Sequence, residues 1–292
     1  MRRSVAAILV TVAAITTVAC ADTDDRPVVA VGADSSTESV VLAEIYAQAL
    51  ARAGTRTTVV TDLTDPLAAL DAGRVAVLGA RNGALLDRWN PTSPAREPGD
   101  VTAALNAALP AGLSVSDAAD GTDLRPRVLR PESATDGINT VTALAPTCAT
   151  LTVGAIDPTP ADEPAPAIDP VLADNPSAQL VAGCTPATVH YYPDLATLRT
   201  NLLDNTIQAA ITPGPAPDLP GLTPLPDPDY ALRAQNILAL HHTGIFNRQQ
   251  TKKLNYVAGE LTTEALLDLI AQVEAGATPT TVAHTWLDDH AL

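Results

Sequence analysis

The chain has 292 residues and a formal net charge of −16 at pH 7. Nucleic-acid binding through phosphate groups requires a basic surface, so this charge argues against DNA or RNA as a partner. The length is sufficient for one large domain or for two lobes with separate cores.

The N-terminal segment has the order of a secretory signal peptide. Arg2 and Arg3 give it a positive start, and residues 5–18 form an apolar run. The run is too short for a membrane-spanning helix, which needs about 20 apolar residues. Small Ala19 stands directly before Cys20, which predicts cleavage before the cysteine and attachment of a lipid to it. Ordinary cleavage, with Cys20 as a bystander, is the alternative.

The residues around Cys20 resemble a bacterial lipobox, with Thr17 at the position where leucine is usual. This resemblance predicts a signal peptide over residues 1–19 and a polar, lipid-anchored tether over residues 20–27. No later apolar stretch is long enough to span a bilayer. We therefore expect a soluble body that is held at the cell membrane on its extracytoplasmic face.

Strands and helices alternate in the first part of the chain. The apolar run Val28–Ala33 predicts a buried strand. Ser35 and Glu38 then have the spacing of a capping box, and the helix that follows has one apolar face. Alternation of this kind predicts a mostly parallel sheet. The further predicted elements are strands 57–61 and 75–80 and helices 65–73 and 101–109.

The middle of the chain contains two proline-rich segments, 157–170 and 213–228. The first is expected to be a surface loop. The second is expected to form neither a helix nor a central strand, because proline cannot donate the backbone hydrogen bond that either requires. The other predicted elements of the middle are strands 139–144, 150–156, 188–192 and 207–211 and helix 195–203.

Regular α/β patterning returns near the end of the chain, in strand 236–241 and in helices over 261–273 and from residue 278. Together with the first part of the chain, it predicts an α/β protein of two lobes. The predicted lobes are 28–130 plus 228–292 for lobe 1 and 131–227 for lobe 2.

Two cysteines, Cys148 and Cys184, remain after Cys20. In an exported protein, one leftover pair most simply forms a disulfide. No cysteine or histidine lies at ligand spacing nearby, so no metal site is expected. The chain contains neither H-E-x-x-H nor G-x-S-x-G, so the sequence favours a protein that is not an enzyme and uses no cofactor.

Two segments of the chain resemble a known family. Val31–Gly54, which reads VGADSSTESVVLAEIYAQALARAG, combines a strand, a G-x-x-x-x-T-E turn and a helix. The closing segments LNYVAGELTTEALLDLIAQVE and TVAHTWLDDHAL read as paired helices. These features are similar to those of the substrate-binding lipoproteins of ABC importers for glycine betaine, choline and related osmoprotectants.

The resemblance implies a two-lobed, periplasmic-binding-protein-like fold with a ligand cleft between the lobes. Such a protein closes on a small-molecule solute by hinge motion and delivers it to an ABC permease in the membrane. Family members hold quaternary ammonium groups in a cage of aromatic rings through cation–π attraction. An osmoprotectant-like quaternary amine is therefore the expected ligand.

The sequence departs from the family pattern at the positions that would form the cage. Aromatic residues make up only 3% of the chain. After the third strand the family commonly has Pro-Glu-Tyr-Thr-Gly, whereas residues 77–83 read VLGARNG, and the turn at 203–206 also lacks a tyrosine. Three alternatives thus stay open: a quaternary amine, an amino-acid-like or anionic solute, and an envelope protein that has lost the ligand site.

The candidate ligand residues lie at predicted strand ends and crossings. An acid at Asp34, where some relatives have lysine, favours a cationic ligand, whereas Arg81 could favour an anionic one. The alternatives to ligand contact are helix capping by Ser35 and a surface role for Arg81 and Asn82. Of two neighbouring strand tyrosines, at most one should face the cleft. The candidates are Asp34, Ser35, Ser36, Thr37, Arg81, Asn82, Trp89, Tyr191, Tyr192 and Tyr230.

Overall fold

The structure is a computed structural model that describes residues 27–156, 186–214 and 219–292. Within them, ten strands form two five-stranded sheets. The strands are β1 (Val28–Gly32), β2 (Arg56–Val60), β3 (Val77–Arg81), β4 (Leu113–Val115), β5 (Arg127–Pro131), β6 (Thr152–Ile156), β7 (Thr188–Tyr192), β8 (Ala209–Thr212), β9 (Leu222–Pro224) and β10 (Ile237–His242).

Helices pack on both faces of these sheets, and a 3₁₀ turn lies at Cys148–Thr150. The helices are α1 (Thr37–Arg52), α2 (Pro66–Asp71), α3 (Asn82–Trp89), α4 (Pro98–Ala108), α5 (Val141–Leu144), α6 (Leu195–Leu203), α7 (Arg248–Glu260), α8 (Thr263–Glu274) and α9 (Pro279–Asp289).

Both sheets follow one plan. The first sheet has the order β2-β1-β3-β10-β4, and the second has the order β7-β6-β8-β5-β9. In each, three parallel strands are followed by one antiparallel strand, β10 or β5, and then by an edge strand. This arrangement confirms the expected two-lobed α/β fold. The exact lobe boundaries at 130 and 228 stay a proposal.

The helix α1 is the centre of the first lobe's core. Its apolar face is buried, and Tyr46 is completely enclosed. The helix packs on β1 and β2 on one side and on α7, α8 and α9 on the other. Its N-cap is Ser36, whose Oγ accepts a hydrogen bond from the Ser39 backbone N–H at 3.2 Å. The predicted cap at Ser35 was therefore wrong by one residue.

Two segments of backbone connect the sheets. The Leu124 N–H donates to the carbonyl of Gln235, two residues before β10 begins at Ile237. Ile237 in turn pairs with Arg81 at the carboxyl end of β3. Three residues after Leu124, Arg127 pairs with Thr212 at the carboxyl end of β8. The carboxyl edges of the two sheets therefore face the same crossing. Ligands of open α/β sheets bind at these edges, so the fold locates the candidate site there.

One predicted element of the middle region is wrong in type. Residues 139–144 were expected to form a strand, but Val141–Leu144 form α5. The hydroxyl of Thr140 accepts a hydrogen bond from the Ala143 backbone N–H at 3.0 Å, which caps a helical turn. The described residues of the second proline-rich segment, 213–214 and 219–228, contain the edge strand β9 and no helix, as expected for a segment poor in backbone donors.

Several predicted features lie outside the described residues, including the signal peptide, Cys20 and Cys184. Cys148 is completely buried in the second lobe. Its pairing with Cys184 stays a prediction. Among the residues that the structure describes, no helix combines the length and apolarity that crossing a membrane would require.

Candidate ligand site

The turn after β1 presents an acid at the carboxyl edge of the first sheet. Asp34 is only 6% exposed. Its Oδ1 accepts a hydrogen bond from the Ser36 backbone N–H at 2.8 Å, and its own backbone N–H donates to Ser39 Oγ at 3.1 Å. Within the described residues, Oδ2 accepts no hydrogen bond and the carboxylate has no ion-pair partner. Asp34 is thus held rigidly with one oxygen available.

The end of β3 lies against the same turn. The Arg81 guanidinium binds Glu38 in a two-point contact, with Nε 3.1 Å from Oε1 and Nη2 2.7 Å from Oε2. The two side chains are 14% and 25% exposed, so the pair is largely shielded from water. The positive charge of Arg81 is therefore compensated by Glu38, which the sequence did not single out as its partner.

Asn82 has a structural position. It is completely buried, and its Oδ1 accepts a hydrogen bond from the Asn236 backbone N–H at 2.8 Å. Its Nδ2 donates to Thr102 Oγ1 at 3.1 Å. These contacts join the start of α3 to the start of β10 and to α4, and they use the polar atoms of Asn82 inside the first lobe.

The second sheet contributes Thr212 and Arg127 from its carboxyl edge. Thr212 is 1% exposed, and its Oγ1 has no hydrogen-bond partner among the described residues. Arg127 lies directly opposite in the ladder and contacts Asp123 at 3.2 Å. Two residues beyond Thr212, a Cβ at Gly214 would collide with the Arg125 carbonyl group. The chain after β8 therefore contacts the crossing segment around Arg125 closely.

The crossing itself is fastened by Arg125. Its Nε and Nη2 bind Asp123 at 2.8 and 3.0 Å, and its Nη1 binds Asp227 Oδ2 at 2.9 Å. Asp227 is 4% exposed and belongs to the returning crossing, so one guanidinium links both. Burial acts to raise the pKa of Asp123, but hydrogen bonds from Arg125 and the charge of Arg127 outweigh it and hold that pKa below its ordinary value.

Tyr230 lies within the same cluster. Its backbone is left-handed, with φ of 48°. Its ring lies 4.3 Å from the Arg125 guanidinium carbon in a cation–π contact. The protein's own cation thus covers one face of this ring. Trp89, at the last residue of α3, is partly buried against the first lobe's core, a packing contact that the sequence did not suggest.

The two strand tyrosines project to opposite faces of the second sheet, as the strand geometry requires. Tyr192 packs against the core of α6, and its Cε2 would be 3.1 Å from a Cβ on Gly154. Burial and the charge of Asp204 raise the pKa of Tyr192. Tyr191 is 46% exposed on the other face. The two rings therefore cannot enclose one ligand together.

All eight aromatic residues of the sequence, five tyrosines, two tryptophans and one phenylalanine, lie within the described residues. Tyr46 and Trp286 are core residues as expected, Phe246 contacts His241, and Tyr256 lies on the surface under Lys252. Since Tyr230 is covered by Arg125 and Tyr191 and Tyr192 diverge, these three rings do not form a cage at the carboxyl edges in this structure.

Sequence reasoning missed Thr212, Asp123, Arg125 and Asp227. The first could have been suspected because it follows a predicted strand and precedes Pro213-Gly214. The other three depend on contacts between distant segments, which no local pattern reveals. Within the described part of the chain, no group of three or more His, Cys, Asp or Glu side chains is arranged to hold a metal ion.

Comparison with known proteins identifies the fold. No protein-family model matches the sequence, and no curated protein is similar to it. A solved glycine betaine/carnitine/choline ABC transporter structure superposes with a TM-score of 0.64 at 17% identity, covering 90% of this chain and 98% of the other. YehZ from Escherichia coli gives 0.59 at 16% identity, with 89% and 98% covered.

An ABC-transporter choline-binding protein in complex with choline is also similar, with a TM-score of 0.55 at 14% identity, covering 90% of this chain and 89% of that one. Likeness at these identities establishes the shared fold. The chain therefore has the fold of the substrate-binding proteins of ABC importers.

Proposed function

We propose that the protein is the solute-binding component of an ABC importer and delivers a small molecule to a membrane permease. The observation that carries this proposal is the meeting of the two carboxyl edges at one crossing, with Asp34 on one side and Thr212 on the other. A cleft between two such edges is a usual position for a small-molecule site in α/β proteins. We do not assign it an enzymatic activity.

The protein acts on the extracytoplasmic face of the cell membrane, anchored by a lipid on Cys20. Tethering keeps a capture protein near its permease at high effective concentration. A disulfide between Cys148 and Cys184 is proposed to stabilise the second lobe. The anchor rests on the sequence around Cys20, and the disulfide rests on the two cysteines that remain in an exported chain.

The ligand is proposed to be a small cationic solute of the osmoprotectant type. The names of similar structures, which mention glycine betaine, carnitine and choline, support a cation, and so does Asp34, which takes part in no ion pair among the described residues. The distribution of the aromatic rings favours a second candidate, a cation outside the quaternary amines, over the caged ligand of the family.

A broad ligand screen tests this function. The mature protein, without residues 1–19, would be mixed with quaternary amines, other amines, amino acids, polyols and anions. A captured solute raises the unfolding temperature and reduces the radius of gyration in solution scattering as the lobes close. If no class of solute stabilises or compacts the protein, capture is not its function, and an envelope role without a ligand becomes the better explanation.

A further inference from the structure

We infer that the ligand site is built on Asp34 and selects a cation with at least one N–H bond, an ammonium or guanidinium group, over a quaternary ammonium group. This inference rests on the proposed capture function and specifies its substrate class. Three independent observations carry it: the state of Asp34, the balance of charges around it and the positions of the aromatic rings.

Asp34 has the properties of a residue that can bind a ligand group. Asp34 is 6% exposed as a residue, and a carboxylate in so shielded a position favours a partner that hydrogen bonds to it or carries the opposite charge. The Ser36 N–H donates to Oδ1. Oδ2 accepts no hydrogen bond from the described residues and is not among their buried unpartnered atoms, so it is accessible to a ligand from a turn fixed by two hydrogen bonds.

The neighbouring charges do not supply the partner. Arg81 is engaged by Glu38, and Arg125 and Arg127 are engaged by Asp123 and Asp227. Asp34 itself takes part in no ion pair among the described residues, so its carboxylate has no direct cationic partner at the carboxyl edge, which favours a cationic ligand.

The geometry of recognition then distinguishes between cations. A carboxylate oxygen accepts hydrogen bonds, and such charge-assisted bonds are short and strong. A quaternary ammonium group has no N–H to donate and depends on ring faces instead. The rings of Tyr191, Tyr192 and Tyr230 cannot combine around one headgroup, because two diverge and the third lies under Arg125.

Thr212 provides a second contact from the opposite sheet. Its buried hydroxyl has no partner in the described chain, and its strand end reaches the crossing that also carries the edge of Asp34. A hydroxyl can both donate and accept, so it suits a neutral polar group on the ligand. The expected ligand therefore combines an N–H cation with a hydroxyl or carbonyl group.

One series of probes isolates the N–H requirement: ethanolamine, N-methylethanolamine, N,N-dimethylethanolamine and choline. All four are cations with one hydroxyl, and they differ in the number of N–H bonds. Titration calorimetry on the mature protein should find a sharp loss, about tenfold or more, between dimethylethanolamine and choline, where the last N–H disappears. A ring cage would produce the reverse order, with choline bound most tightly.

Asp34→Asn tests the anchor directly. Asparagine keeps an oxygen for the Ser36 N–H, so the turn should persist, but affinity for the N–H cations should fall by about thirtyfold or more. Asp62→Asn is the matched control. Asp62 is exposed and follows β2 at the same edge of the sheet, and its substitution removes the same charge. It should bind the series as the unaltered protein does.

The outcomes separate the inference from the function. If choline binds most tightly, or if Asp34→Asn binds as Asp62→Asn does, the site is not built on Asp34, although capture of a cation stands. If the broad screen finds only anions or neutral solutes, the N–H cation is excluded while capture stands. If no solute in any class binds, the capture function itself fails.

Discussion

At the scale of single residues, two buried threonines differ in one respect. Thr212 and Thr122 are each 1% exposed. The Thr122 hydroxyl donates to the Ala119 carbonyl at 2.7 Å and accepts from the Ile237 N–H at 2.9 Å. The Thr212 hydroxyl does neither within the described chain. A buried hydroxyl without a partner lowers the stability of a protein. Such a group is retained where it has another use.

Thr212→Val should therefore stabilise the ligand-free protein, by about 1 kcal/mol, because it removes a buried group that has no partner. Urea unfolding would measure the change. The same substitution at Thr122 should destabilise the protein by about 2 kcal/mol, since it strands the Ile237 N–H. Loss of stability in Thr212→Val would mean that its hydroxyl is bonded within the fold and is not held for a ligand.

At the scale of elements, the N-terminus of α1 offers a comparison between adjacent serines. Ser36→Ala removes the side-chain acceptor of the cap and should cost about 1 kcal/mol of unfolding free energy. Ser35→Ala, one residue earlier and exposed, should leave stability within about 0.5 kcal/mol. Equal effects in chemical denaturation would contradict the assignment of the cap to Ser36.

The two segments that cross between the sheets are held together by one residue, Arg125. Arg125→Met would leave the buried Asp227 side chain with the Ala231 and Leu232 N–H donors but without its ion-pair partner, and should destabilise the protein by about 3 kcal/mol. Arg52→Met is the control: it removes an ion pair with Asp288, which is 55% exposed, together with hydrogen bonds to two carbonyl groups at the chain end, and should cost less. Thermal unfolding should rank Arg125→Met well below Arg52→Met; the opposite order would show that Asp227 is compensated by other groups.

The elements that could be predicted are those with their own local signals. The strand at β7 and the helix α6 have the predicted bounds, and Asp194 caps α6 through the Thr197 N–H at 2.7 Å. The helix α3 was not predicted. Its first residues have no side-chain cap of their own, and the Ala84 N–H is instead satisfied by Gln235, which lies far away in the sequence.

The candidate site could be predicted only in part for the same reason. Asp34 was recognisable because the turn lies between a clear strand and a clear helix. The availability of the Asp34 carboxylate as an acceptor could not be predicted, because it depends on a contact between Glu38 and Arg81, which lies on another strand. The diverging directions of Tyr191 and Tyr192 follow from strand alternation and could be predicted, whereas the cover of Arg125 on Tyr230 could not.

At the scale of the whole molecule, anchoring and folding should be separable. Cys20→Ala removes the proposed lipid site and should release the protein from the membrane fraction without changing its unfolding temperature, because the described sheets begin at Val28. Cell fractionation followed by thermal unfolding would measure both. A Cys20→Ala protein that stays with the membrane would disprove the lipid anchor, and one that unfolds earlier would give residue 20 a structural role.

The antiparallel strand β10 imposes an order on synthesis. It lies between β3 and β4, although it is translated after every other strand. Until residues 237–242 leave the ribosome, β3 is paired only with β1, β4 has no partner strand in the first sheet, and the sheet is incomplete. Contacts between segments so distant in sequence form slowly. We therefore expect the first sheet to be completed only late in synthesis, and such a delay would favour passage through an export channel if the proposed signal peptide directs the chain there.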